Sequence, residues 1–90
     1  MTDTMARVLQ WVMPRRAFYR RVYLFTDHWR KVAAEARIRA GHRCDRCGAR
    51  GSYKALDVHH LEYHIWHERP TDLQVLCRAC HVKIHRRRGW

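Results

Sequence analysis

Four cysteines and eight histidines are the side chains of this 90-residue chain best suited to chemistry, and their spacing sorts them into groups. The cysteines form two pairs, Cys44-Asp-Arg-Cys47 and Cys77-Arg-Ala-Cys80. A CxxC pair sets two thiolates on one tight turn, and two such pairs complete a tetrahedral zinc shell with Zn–S distances of about 2.3 Å. Two disulfides are the alternative, which the absence of an export signal disfavours. The 29 residues between the pairs exceed a simple zinc ribbon and imply an inserted element with its own purpose.

The histidines supply a second chemistry. His81 and His85 are four apart in a stretch that reads as helix, so they share a face and can share one ion. His59 and His60 are adjacent at the end of a predicted strand, where successive side chains point to opposite faces. One of that pair is expected to join the metal and the other to stand apart as a general base, the usual task of an imidazole. Neutral imidazole ligands would leave a divalent ion its full charge. Such a nitrogen-rich shell suits zinc, nickel or similar borderline ions better than magnesium. His64 and His67 read as solvated loop residues, and His28 and His42 as structural or surface residues. Asp57, two before His59, either orients a ligand imidazole or serves as an ion-pair partner on the strand face.

Elements able to position these groups follow from periodicity and turn chemistry. Met5, Val8, Leu9 and Val12 form an apolar stripe at helical spacing over residues 4–13, stopped by Pro14. Residues 15–25, RRAFYRRVYLF, interleave arginines with aromatics, as either a nucleic-acid grip or an arm packed by its rings. Thr26-Asp27 reads as a helix start, with Trp29, Val32, Ala33 and Ala36 in phase and Gly41 as the stop. Ala49-Arg50-Gly51-Ser52 reads as a turn, Lys54–His60 as a strand, residues 61–71 as a loop, Leu73–Cys77 as a second strand and Arg78–Arg87 as a helix. Two segments are expected: an N-terminal basic and aromatic arm over 1–25, and a zinc-stapled domain over 26–90.

The run VHHLEYHIWHERPTDLQVLCRACHVKIH (58–85), together with CDRCG (44–48), resembles an HNH nuclease, the ββα-metal or His-Me finger fold in its four-cysteine variety. The likeness extends over roughly residues 26–86. It implies an α+β fold class: a small zinc-stapled ββα-metal domain with a preceding helix and a helical, basic N-terminal arm. Carried over by position, it makes His60 the general base and His59 a ligand of the catalytic metal. His81 and His85 would complete the protein ligands, beside a structural Zn²⁺ on Cys44, Cys47, Cys77 and Cys80. The catalytic divalent ion would be Zn²⁺, Ni²⁺, Mn²⁺ or Mg²⁺. Asp72 stands at the position of the family's middle Asn, which ties down the loop between the strands. An Asp accepts the same backbone hydrogen bonds but cannot donate as an amide does.

Charge points to the same partner. Lys and Arg number 19 against 8 Asp and Glu, a net +11, with arginine supplying 16 of the 19. That excess suits a polyanion, and arginine suits bidentate phosphate contacts. Arg78, Lys83, Arg86, Arg87 and Arg88, on or after the last helix, are candidates to meet DNA, or else a solvated tail. Double-stranded DNA is the expected substrate, met through backbone contacts that carry no sequence information. The hydrophobic fraction of 47% disfavours disorder, and no run is apolar enough to span a membrane. The stretch before Pro14 does not read as a secretory signal, so a cytoplasmic protein of a bacterial or phage-infected cell is expected, as monomer or homodimer, with a phage or bacterial DNA-processing partner. The leading expectation is a metal-dependent HNH endonuclease; a non-catalytic zinc-stabilised nucleic-acid-binding module and a structural adaptor are the alternatives.

Overall fold

The computed structural model describes residues 1–51 and 56–87. Its architecture is α+β: α1 (Asp3–Gln10), α2 (Arg15–Arg21), α3 (Asp27–Arg39), β1 (Leu56–His60), β2 (Leu73–Cys77) and α4 (Arg78–Arg87), with 3-10 turns at Tyr23–Phe25 and Pro70–Asp72. The chain divides into two compact units, Met1–Ala33 and Ala34–Trp90, and the division falls inside α3.

In the first unit α1 starts where the Thr2 side chain accepts from Met5 N at 3.3 Å, which satisfies one of the orphan donors of a first turn. It ends at Gln10, three residues before the expected limit, so Val12 lies beyond the helix. Its buried residue is Ala6; of the apolar stripe, Met5, Val8 and Val12 are exposed and Leu9 is half-buried. Periodicity marks a face without saying what covers it, and here the one buried residue of the helix is its smallest side chain.

Residues 15–25 fold rather than extend. Phe18, Val22 and Tyr23 are buried with Trp29 and Ala33, and the Tyr23 ring lies 6.3 Å from Phe18 and 6.1 Å from Trp29. Arg15, Arg16, Arg20 and Arg21 stay exposed. The aromatics build this core while the arginines face solvent. Thr26 then caps α3: its hydroxyl donates to Tyr23 O at 2.7 Å and accepts from Trp29 N at 3.1 Å. At the other end of α3, Gly41 N bonds Ile38 O and His42 N bonds Arg37 O, both at 2.9 Å. These are the paired bonds of a Schellman stop, with Gly41 at φ +68°.

The second unit is built on one antiparallel ladder that sets Leu56 opposite Cys77 and His60 opposite Leu73. Of the strand expected over Lys54–His60, Lys54 and Ala55 lie outside the described residues, as does Ser52 of the turn before it. Arg50 of that turn pairs with Arg43 in an isolated bridge. The core consists of Ala36, Cys44, Leu56, Val75, Leu76 and Cys80, with Ile84, Val58 and Leu73 packed against it. Full burial of a Leu or Val is worth only about 1.5–3 kcal/mol. Two leucines and one valine are a thin core for such a unit, and two of its six buried members are themselves cysteines from the two CxxC pairs. A metal staple is what small folds of this kind need.

Candidate active site

The first cysteine pair sits on a knuckle held to β2. Gly48, at φ +76°, turns the chain so that its N–H reaches Cys44 O at 2.9 Å. Asp45 N donates to Val75 O at 2.7 Å, and Asp45 Oδ2 accepts from Val75 N at 2.8 Å. The second pair spans the end of β2 and the first turn of α4. The four sulfurs thereby gather within 4.8 Å of one another. Burial raises the Cys44 thiol, but hydrogen bonds from the backbone of Cys47, Cys77 and Arg46 outweigh it and bring it down to about 6. Cys80 is pushed up to about 12 by its contact with Cys77 and by burial. Four thiols this close cannot all ionise alone, and a divalent cation is what lets them. The donor set fits zinc.

On the other side of the ladder, alternation separates the two adjacent histidines as expected. His59 lies against α4, its ring 5.4 Å from His81 and 5.6 Å from His85, while the His81 and His85 rings are 4.1 Å apart. Ring nitrogens of all three lie within 4.8 Å of one another, and the Nε2 atoms of His59 and His85 are buried. One helical turn places His85 above His81, and one strand residue points at both. Three imidazole nitrogens at this separation fit one borderline divalent ion.

Asp57, on the same face of β1 as His59, takes both parts that the sequence left open. Its Oδ2 lies 3.0 Å from His81 Nδ1 and its Oδ1 lies 3.4 Å from Arg78 Nη2. Accepting from Nδ1 leaves Nε2 of His81 as the nitrogen with a lone pair. Arg78 is therefore committed to Asp57, though its side chain is largely exposed. Lys83 and Arg86 are exposed on α4; Arg87 closes the helix, and Arg88 lies outside the described residues.

His60 faces away from the triad. Its Nε2 meets Glu68 Oε2 at 3.0 Å with both side chains fully buried, and the Tyr63 ring stacks on it at 5.4 Å and 17°. Glu68 carried no sequence signal: it is one of two glutamates in an irregular loop, and only the fold separates it from exposed Glu62.

Asp72 closes that loop. Its Oδ2 accepts from Arg69 N at 2.9 Å and pairs with His64 Nδ1 at 3.1 Å, and its Oδ1 accepts from Arg69 Nη2 at 3.3 Å. Its carbonyl accepts from Leu61 N at 2.7 Å. The Arg69 backbone donor outweighs burial and, with the His64 and Arg69 side chains, holds the Asp72 carboxyl down at about 2. His64, expected as a solvated residue, is exposed at its rim but tied to Asp72. His67 is exposed.

The HNH endonuclease family matches over residues 44–87. That segment is an HNH domain, and its four gathered cysteines fit the zinc variety. Compared with curated proteins and with solved structures, the chain gives no match. The domain's family suggests a nuclease-type function.

Proposed function

We propose that this protein is a metal-dependent endonuclease that hydrolyses phosphodiester bonds of DNA with little base readout. The observation that carries the reading is the convergence of His59, His81 and His85 on one point, with a fourth imidazole, His60, next to His59 in the chain. In this reading those three hold a catalytic divalent ion and the four cysteines hold structural zinc. Bound there, the ion would neutralise phosphate charge and stabilise the leaving oxygen. His60 acts as general base on the attacking water. Asp72 works at a distance from the phosphate: by accepting from Leu61 N and Arg69 N it fixes both ends of the loop that follows His60. Duplex DNA as the substrate is supported by the net charge of +11 and by exposed Lys83 and Arg86 on α4.

The test is supercoiled plasmid incubated with wild type and His60→Ala, each with Mg²⁺, Mn²⁺, Ni²⁺ or Zn²⁺ and with EDTA. Wild type is expected to nick or linearise the plasmid in an EDTA-sensitive way, and His60→Ala to bind but not cut. General-base loss typically costs about 10²–10⁴-fold. One observation favours the alternative, a non-catalytic zinc-stabilised nucleic-acid-binding module: His60 is only 1% exposed, so water must be admitted before it can serve as base. Plasmid retarded in the gel but intact with every metal would establish that alternative.

A further inference from the structure

We propose that Arg43 and Arg50 form a clamp for one backbone phosphate of a nucleic acid, on the first cysteine knuckle and apart from α4. This rests on DNA as the partner in the reading above, and adds a place where the strand is held. The two residues face each other in the isolated antiparallel bridge that closes the knuckle. Its hydrogen bonds run on either side of the pair: Gly51 N donates to His42 O at 3.1 Å, and Cys44 N donates to Ala49 O at 2.9 Å. Arg43 and Arg50 are therefore the non-hydrogen-bonded pair of the bridge. In such a pair the Cα atoms come within about 4.5 Å and the side chains leave the same face at their closest.

Like charges set directly opposite one another destabilise a pair. Both arginines are exposed, and no carboxylate among the described residues is in an ion pair with either. Asp45, the acid nearest to them in the chain, has its Oδ2 on Val75 N at 2.8 Å. A phosphodiester supplies what the pair lacks: one negative charge shared by two oxygens, each able to accept from a guanidinium. The knuckle is also a firm mount for such a contact. Asp45 N donates to Val75 O at 2.7 Å, and Val75 stands opposite Val58, the residue before His59. A strand gripped by Arg43 and Arg50 is thus held by the same ladder that carries the histidine triad.

Fluorescence anisotropy of a short labelled duplex, titrated with the zinc-loaded protein at several chloride concentrations, gives the salt slope. That slope counts phosphates neutralised, not arginines. Arg43→Ala and Arg50→Ala are each expected to weaken binding, and the double variant to lower the slope by about 1. A fall of about 2 would mean two separate phosphates and overturn the clamp, as would a slope equal to that of wild type. Arg30→Ala removes the same charge from an exposed position on α3; an equal loss there would show that net charge alone acts, and overturns the proposal. Without DNA, Arg50→Ala should keep or raise the Tm, because it relieves the like-charge pair. A lower Tm and weaker zinc retention with an unchanged slope would mean that the arginines only balance the thiolates, which also overturns it. Inorganic phosphate at matched ionic strength should displace the duplex no better than chloride; stronger displacement that the double variant loses would mark a site for the free anion instead. The titration needs no cleavage, so a wild type that binds but never cuts sinks the nuclease reading while the slopes still decide the clamp.

Discussion

A carboxylate set against one nitrogen of an imidazole decides what the other nitrogen can do, and Asp57 does this for His81 at 3.0 Å. Outer partners of this kind are typically worth 10–100-fold in metal affinity. Asp57→Asn is therefore expected to weaken binding of a divalent ion at the histidine triad by about 10–100-fold, measured by calorimetry with the cysteine site already filled. Unchanged affinity would mean that Asp57 serves Arg78 alone. Asp72 makes a different prediction, in pH. Its carboxyl is held at about 2 in the fold, below the ordinary value of about 3.9. A folded value below the unfolded one means stabilisation that is complete above about pH 4 and is lost as pH falls from there through about 2. Urea midpoints of wild type should drop more steeply across that window than those of Asp72→Asn. Parallel curves would refute the assignment.

Turns and caps, rather than long stretches of apolar surface, hold the elements where the site needs them. Gly41 ends α3 three residues before Cys44, and a Cβ built there meets nothing within 4 Å. The expected cost of Gly41→Ala is thus backbone strain alone, about 1–2 kcal/mol, readable as a lower chemical-denaturation midpoint. The cysteine pairs, the helical HxxxH and the Gly41 stop were legible in the sequence because each depends on neighbours a few residues apart. Both strands of the ladder and α4 were legible for the same reason. Glu68 against His60 and His64 against Asp72 were not, since each crosses eight residues of irregular loop whose path depends on the packed fold. The N-terminal stripe marked a helix, and α1 is that helix, but the stripe did not say which side is buried. Spacing identified one side of a helix, but Ala6, the small residue between the apolar ones, is what the first unit buries.

At the scale of the whole molecule, positive charge is in excess, 19 Lys and Arg against 8 Asp and Glu. Asp57, Glu68 and Asp72 are engaged by His81, His60 and Arg69, while Arg15, Arg16, Arg20, Arg21, Lys83 and Arg86 are exposed, as are Asp27, Glu35, Asp45 and Glu62. Neutralising a phosphate releases counterions, so DNA affinity should fall linearly with salt on logarithmic axes. Arg86→Ala is expected to reduce that slope by about 1, the signature of one lost phosphate contact. Chelation should act on Ala34–Trp90 as a whole, because its thin core shares Cys44 and Cys80 with the metal site; retention of its far-UV signal at full zinc removal would contradict this. The two knuckles bracket 29 residues that contain all of β1, the loop with Glu68 and Asp72, and most of β2. In polymer terms, zinc on the four cysteines would tie a ring. Closing a flexible loop of that length costs an unfolded chain about 3 kcal/mol of entropy, and the metal keeps it closed in any state that still holds the ion. Strand pairing and placement of His59 and His60 then proceed inside a preformed ring, so refolding should be faster with zinc present from the start than with zinc added last.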